Sequence, residues 1–298
     1  MTEILRTAAN SRSRSFVYWI TTAIVAFESV MGGIWDILQI DIVRDVAVDQ
    51  LGYPPYILVI LGVAKIPGAF VLVAPRLPRL KEWVYAGVLF VYLGAAISLA
   101  VQGDAAAAGP LGFATMTCLS WATRPRDRRT IATGSWTPGR TDSSGTPRSA
   151  ATVGFWATTG VVAIVLFSGG MADLLGRGAT VAGMLELGYP TYFITMLGVW
   201  KILGALVILA PRLGRLKEWA YAGAFYNFAG AFASHIAAGS AVEHLWWPAT
   251  FALCVLISWA LRPASRSLTA HHVRDIRRDA SAPDPAEGTR TSRSGIAE

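Results

Sequence analysis

The chain has 298 residues, of which 53% are hydrophobic and 15% charged, and it carries a formal net charge of +7. That apolar excess, with a mean hydropathy of +0.45, excludes an ordinary soluble domain and indicates a membrane protein. The basic residues sit in short clusters beside apolar runs, so nucleic acid is not an expected partner. The two cysteines, Cys118 and Cys254, make neither a disulfide framework nor a zinc motif.

A helix needs roughly 20 apolar residues to cross a hydrocarbon core of about 30 Å. Eight runs of about that length occur, near Phe16–Leu38, Tyr56–Ala74, Trp83–Val101, Ala105–Thr123, Val153–Leu175, Tyr192–Ala210, Trp219–Ala238 and Leu245–Leu261. The first is longer than a signal-peptide core and lacks a small-residue cleavage site, so it reads as a retained helix. Polar segments divide the chain: an N-terminal stretch (1–15), a four-helix unit (16–124), a linker (125–151), a second unit (152–263) and a basic tail (264–298). The linker and tail are too poor in apolar side chains to offset the entropy of ordering, and disorder is expected for both. Their arginines suit anionic lipid headgroups.

The two units repeat each other. Leu51-Gly52-Tyr53-Pro54 returns as Leu187-Gly188-Tyr189-Pro190, and Leu61-Gly62-Val63 with Lys65-Ile66 returns as Leu197-Gly198-Val199 with Lys201-Ile202. Arg79-Leu80-Lys81-Glu82-Trp83 and Tyr85-Ala86-Gly87 return as Arg215-Leu216-Lys217-Glu218-Trp219 and Tyr221-Ala222-Gly223. With one residue of slip, Gly32-Gly33 and Asp36 match Gly169-Gly170 and Asp173. Repetition at this density is a duplication.

Basic residues in short loops stay cytoplasmic. Arg12 and Arg14, then Arg76, Arg79 and Lys81, then Arg124 to Arg129 mark alternate loops, and the loops between them are acidic. An even number of helices per unit gives both copies one orientation, so the repeats are parallel. The expected fold is thus an all-α integral membrane protein: eight transmembrane helices in two parallel four-helix bundles, multi-pass in the plasma membrane, with both termini and the linker cytoplasmic.

The repeated residues resemble the DoxX-like family: Gly-Gly and Asp ending helix one, Leu-Gly-Tyr-Pro before helix two, Leu-Gly-Val-x-Lys-Ile within it, and Arg-Leu-Lys-Glu-Trp-x-Tyr-Ala-Gly entering helix three. The resemblance covers nearly all of the membrane-embedded chain, twice. It implies four-helix membrane units, and it implies kinship with subunits of quinone-linked redox complexes, with membrane redox partners and quinone as a cofactor. Ser234-His235 fits the family pattern near the end of helix three and is the candidate cofactor contact, whereas the first unit has Ser98-Leu99 there.

Only four of the 26 basic residues are lysines, and they form two repeat-equivalent pairs, Lys65 with Lys201 and Lys81 with Lys217. Lys65 lies about nine residues into its helix, which at about 1.5 Å per residue is beyond easy snorkelling range. It needs a partner. Side chains lean toward a helix N-terminus, so Asp36 on the oppositely directed first helix can approach Lys65, and Asp173 can approach Lys201. Glu28 is a second candidate for Lys65, with Val165 at its equivalent place. Such pairs serve either as a proton or substrate site or as ion pairs that dock helices one and two.

Glu82 and Glu218 are expected in the first turn of helix three, in an interfacial cluster with Arg76, Arg79 and Lys81, or Arg212, Arg215 and Lys217. Trp83, Tyr85, Trp219 and Tyr221 read as interface anchors, and Gly87 and Gly223 as close-approach points. No nucleotide loop, catalytic triad or paired-carboxylate pattern is present, so catalytic residues and a metal are not expected. Three functions remain open: a redox or quinone-associated subunit, a proton or small-molecule transporter using the lysine–aspartate pairs, and a non-catalytic scaffold. The lipid bilayer is the expected partner, and a homo-oligomer is compatible with the sequence.

Overall fold

The computed structural model describes residues 2–125, 148–211 and 213–263. These are helical throughout, with no strand among the described residues. In the first half α1 (Thr2–Leu38) is followed by a short α2 (Asp41–Arg44), a π-helical turn at Asp45–Gln50, α3 (Tyr56–Val73), α4 (Pro78–Val101) and α5 (Ala108–Thr123). The second half has α6 (Arg148–Leu174), a short α7 (Ala179–Glu186), α8 (Thr191–Leu209), α9 (Gly214–Ala237) and α10 (Trp246–Ala260). Helix α6 therefore opens inside the expected linker. Residues 126–147 of that linker, the tail after Pro263 and Arg212 lie outside the described residues.

Among the described residues five helical stretches are long and apolar enough to cross a membrane: Arg12–Leu38, Tyr56–Val73, Pro78–Val101, Ala150–Leu174 and Thr191–Leu209. The other three expected crossings differ for identifiable reasons. Helices α5 and α10 have only 16 and 15 residues. Helix α9 has 24, but Arg215, Lys217, Glu218 and Asn227 dilute its apolar character.

Within the first half α1 packs on α3 and α5, and α4 packs on α3 and α5; α6, α8, α9 and α10 repeat this arrangement. Glycines make close crossings of α1 with α3 and of α6 with α8. A Cβ on Gly62 would lie 2.4 Å from the Gly33 carbonyl oxygen, and one on Gly198 would lie 2.9 Å from that of Gly170. Small residues let backbones meet where lipid supplies no hydrophobic force between helices.

The halves pack on each other mainly through α4 and α9. Gly87 of α4 receives the Tyr226 ring of α9, and Gly223 of α9 receives the Phe90 ring of α4. Tyr56 donates to the Leu187 carbonyl at 2.6 Å, and Tyr192 donates to the Leu51 carbonyl at 2.7 Å. Each half thus presents the same surface to the other, as in an isologous dimer. Two buried clusters underlie this, one around Val25, Leu72 and Tyr92, the other around Val162, Ile208 and Phe228 and reaching Trp83 across the seam.

Candidate functional site

Polar side chains are concentrated at three levels. The first is the crossing of α1 with α3, and of α6 with α8. Lys65 Nζ lies 2.7 Å from Asp36 Oδ2, and Lys201 Nζ lies 2.7 Å from Asp173 Oδ2. The glycine contacts just described hold the helices close enough for this, since Gly33 and Asp36 share the face of α1 that meets Gly62 and Lys65. Both aspartates are buried. A buried charge is tolerated only when paired, and these pairs satisfy that condition.

In the first half the polar network extends further. Tyr92 on α4 donates its hydroxyl to Glu28 Oε2 on α1. A Cβ at Gly32 would stand 2.8 Å from Glu28 Oε1 and 3.6 Å from Lys65 Nζ, so carboxylate and ammonium share the notch left by that glycine. In the second half Val165 and Phe228 stand where Glu28 and Tyr92 stand, and the equivalent Gly169 has nothing within 4 Å.

At the second level Glu82 and Glu218 are buried, and because Pro78 and Gly214 begin their helices both carboxylates lie beyond the first turn. Glu82 pairs with Arg124 and accepts from the indoles of Trp121 at 2.9 Å and Trp219 at 3.0 Å. Glu218 pairs with Arg262 and accepts from Trp259 at 2.7 Å and Trp83 at 3.3 Å. Each carboxylate thus takes one indole from its own half and one from the other. Each arginine also covers a tyrosine ring, Arg124 over Tyr85 and Arg262 over Tyr221, at 5.4 Å. Below them Ser120 joins Tyr85 to Thr22, and Ser258 joins Tyr221 to Thr159.

Arg76, Arg79 and Arg215 take no part in these carboxylate pairs. Arg76 and Arg215 are exposed, the latter lying over the Trp121 ring. Lys81 donates to the Leu72 carbonyl at the end of α3, and Lys217 to the Val207 and Ile208 carbonyls at the end of α8. A compact ammonium suits the unpaired carbonyls and negative end of a helix, which explains why lysine rather than arginine occupies both positions. Trp83, Tyr85 and Tyr221 are buried in packing and are not anchors at a lipid boundary.

The third level is an aromatic cluster that bridges the halves, with Tyr53 packed edge-on against Tyr189, Tyr192 and Phe193. Tyr53 bonds Ser98 at 2.8 Å and Tyr189 bonds Ser234 at 2.7 Å. Burial pushes both phenols above their ordinary pKa, which keeps them neutral donors. Ser234 therefore has the same structural partner as Ser98. His235 bonds Ser240 at 3.0 Å and stacks on His244 at 5.5 Å. Among the described residues no three His, Cys, Asp or Glu side chains are placed to share a metal ion.

The DoxX-like sequence pattern matches residues 20–123 and again residues 157–258. The chain belongs to the DoxX-like family. It carries the family unit twice in tandem, and with its long apolar helices it is a membrane protein of DoxX-like type. No curated protein and no solved structure shows significant similarity to it.

Sequence reasoning missed Tyr92, Trp121 and Trp259, and it read Arg124 only as a topology signal. A signal was present for most of them. Ser120-Trp121-Ala122-Thr123-Arg124-Pro125 returns as Ser258-Trp259-Ala260-Leu261-Arg262-Pro263, and the tryptophan and arginine of each are the partners of Glu82 and Glu218.

Proposed function

We propose that this DoxX-like protein is a proton-handling transporter of the plasma membrane, crossing the bilayer eight times as two parallel four-helix bundles with termini and linker cytoplasmic. The supporting observation is the run of ionisable groups Asp36, Lys65, Glu28 and Tyr92. In this topology it leads from the outer end of α1 to mid-depth. Charged groups in hydrocarbon are costly and occur where protons or substrates pass. Parallel repeats meeting along α4 and α9 supply two rigid halves able to rock about a shared seam. The short helices α5 and α10 cross by virtue of the segments that precede them, Ala105–Ala107 and Val242–His244.

The test is proton uptake into proteoliposomes loaded with a pH-sensitive dye under an imposed pH gradient. Wild-type protein should acidify the lumen faster than empty vesicles do, and a stable Lys65→Met, Lys201→Met protein should not. Equal rates for the variant and the wild type would remove the reading.

A redox-subunit reading is favoured by a separate observation. An apolar groove of about 390 Å³ runs between α4 and α8, lined by Ile97, Val101, Met196, Val199, Trp200 and Leu203. It suits the isoprenoid tail of a quinone, and quinone extracted from protein purified in mild detergent would support that use. The groove lies on the opposite side of α4 from Tyr92, so a tail held there does not bring a headgroup to Glu28, which is why transport is preferred.

A further inference from the structure

The duplication supplies an internal control. A feature found in both halves can be required by the fold, whereas a feature found in one half is not required by it, because the other half folds without it. The lysine–aspartate pairs, the crossing glycines, the lysine caps and the buried Glu–Arg–Trp sites all occur twice. The Glu28–Tyr92 contact occurs once.

Two positions on two different helices differ together. Glu28 on α1 and Tyr92 on α4 touch, and their equivalents are Val165 on α6 and Phe228 on α9. The two polar groups of one contact are both replaced by apolar ones. Phe228 retains the ring of Tyr92 and lacks only the hydroxyl, so the packing role survives and the hydrogen bond does not. The surroundings persist: Tyr92 and Phe228 are both buried in the core cluster of their half.

We infer that the two halves have divided their work, with an exchangeable-proton site built in the first half on Glu28, Tyr92 and Lys65, and the second half acting as its structural frame. The groups facing Glu28 are Tyr92 from α4, Lys65 from α3 and Asp36 from α1, while α5 contributes Phe113, stacked on Tyr92 at 5.3 Å. Lys65 already has Asp36 as counter-ion. Glu28 is therefore free to take up a proton without leaving the Lys65 ammonium unpaired. When it does so, the proton bonds to one carboxyl oxygen and the other oxygen still accepts from Tyr92. When the proton leaves, Lys65 and the phenol hydroxyl stabilise the carboxylate. The second half, with neither group, holds a neutral ion pair that has nothing to exchange.

This inference deepens the transport reading by naming which half carries the proton, and its test does not depend on uptake. The full chain, reconstituted in lipid, is titrated while the C=O stretch of protonated carboxyls is followed by infrared difference spectroscopy, with exchange into D₂O to mark protons in contact with water. Three proteins are compared. In the wild type one carboxyl band should titrate and shift in D₂O. Glu28→Val with Tyr92→Phe transplants the second half's pair into the first; it should fold, melt close to wild type and lack the band. Val165→Glu with Phe228→Tyr builds the contact in the second half and should add a second band. An unchanged band in the first variant would overturn the inference. So would its failure to fold, since that would make the pair structural. Loss of proton uptake as a wild-type property, with the band and its D₂O shift intact, would end the transporter reading and leave the site standing.

Discussion

The crossing of α1 with α3 sets a quantitative expectation for Gly62→Ala. The new methyl would lie 2.4 Å from the Gly33 carbonyl oxygen, 2.7 Å from Ile37 Cγ1 and 3.1 Å from Asp36 Cβ, against ordinary contact that begins at 3.4 Å. The nearest of these atoms is backbone, so α1 and α3 must separate by about 1 Å, and overpacking of this kind costs about 1–3 kcal/mol. At roughly 2–4 °C per kcal/mol for a chain of this size, the melting temperature should fall by several degrees. The same substitution at Gly198 meets the Gly170 carbonyl at 2.9 Å, Asp173 Cβ at 3.0 Å and Leu174 Cγ at 3.2 Å. It needs only about half that retreat and should cost visibly less. Thermal unfolding of the two variants in one detergent, followed by the fluorescence of the eleven tryptophans, decides the matter. A Gly62→Ala protein as stable as wild type, or a Gly198→Ala protein that is the weaker of the two, would refute this reading of the crossing.

Trp219→Phe keeps an aromatic ring in the seam but removes the indole N–H that reaches Glu82 across it at 3.0 Å. A hydrogen bond to a buried charge contributes about 1.5–3 kcal/mol, so melting should fall, and halves separated by cutting a protease site placed within 126–147 should part in milder detergent than wild type; no change in either measure would show that the cross-seam bond does not hold the halves together. The Asp104 carboxyl is held below its usual value of 3.8 by the Ala106 backbone N–H and, secondarily, by Gln50, which ties the α4–α5 turn to the π-helical segment. Because the folded-state value is the lower one, its stabilisation is present above that usual value and disappears as pH falls through the folded one. The gap in melting temperature between wild type and Asp104→Asn should therefore narrow on acidification, and a gap independent of pH would contradict the assignment.

The repeated words of the sequence carried the tandem duplication. Lys65 and Asp36 could be paired from helix direction and side-chain lean alone, because both act through local geometry. Glu82 and Glu218 were harder to place, since their partners lie some forty residues away on the next helix and in the other half of the chain. Charge clusters in sequence favoured Arg76 and Arg79, which are near in number. The structure instead selects Arg124 and Arg262, which come near by packing. Tyr92 was invisible for the same reason: nothing in the spacing of α4 singles out one tyrosine until α1 is laid against it.

The crossed indoles have a consequence for how such a chain can change over time. In an assembly of two identical subunits any substitution appears on both sides at once, so a residue useful in one place must be tolerable in the other. Joining the subunits end to end removes that constraint while Trp83 and Trp219, each reaching into its neighbour, keep the partners in register. One lobe is then at liberty to become specialised, and its twin is retained because the specialised lobe leans on it.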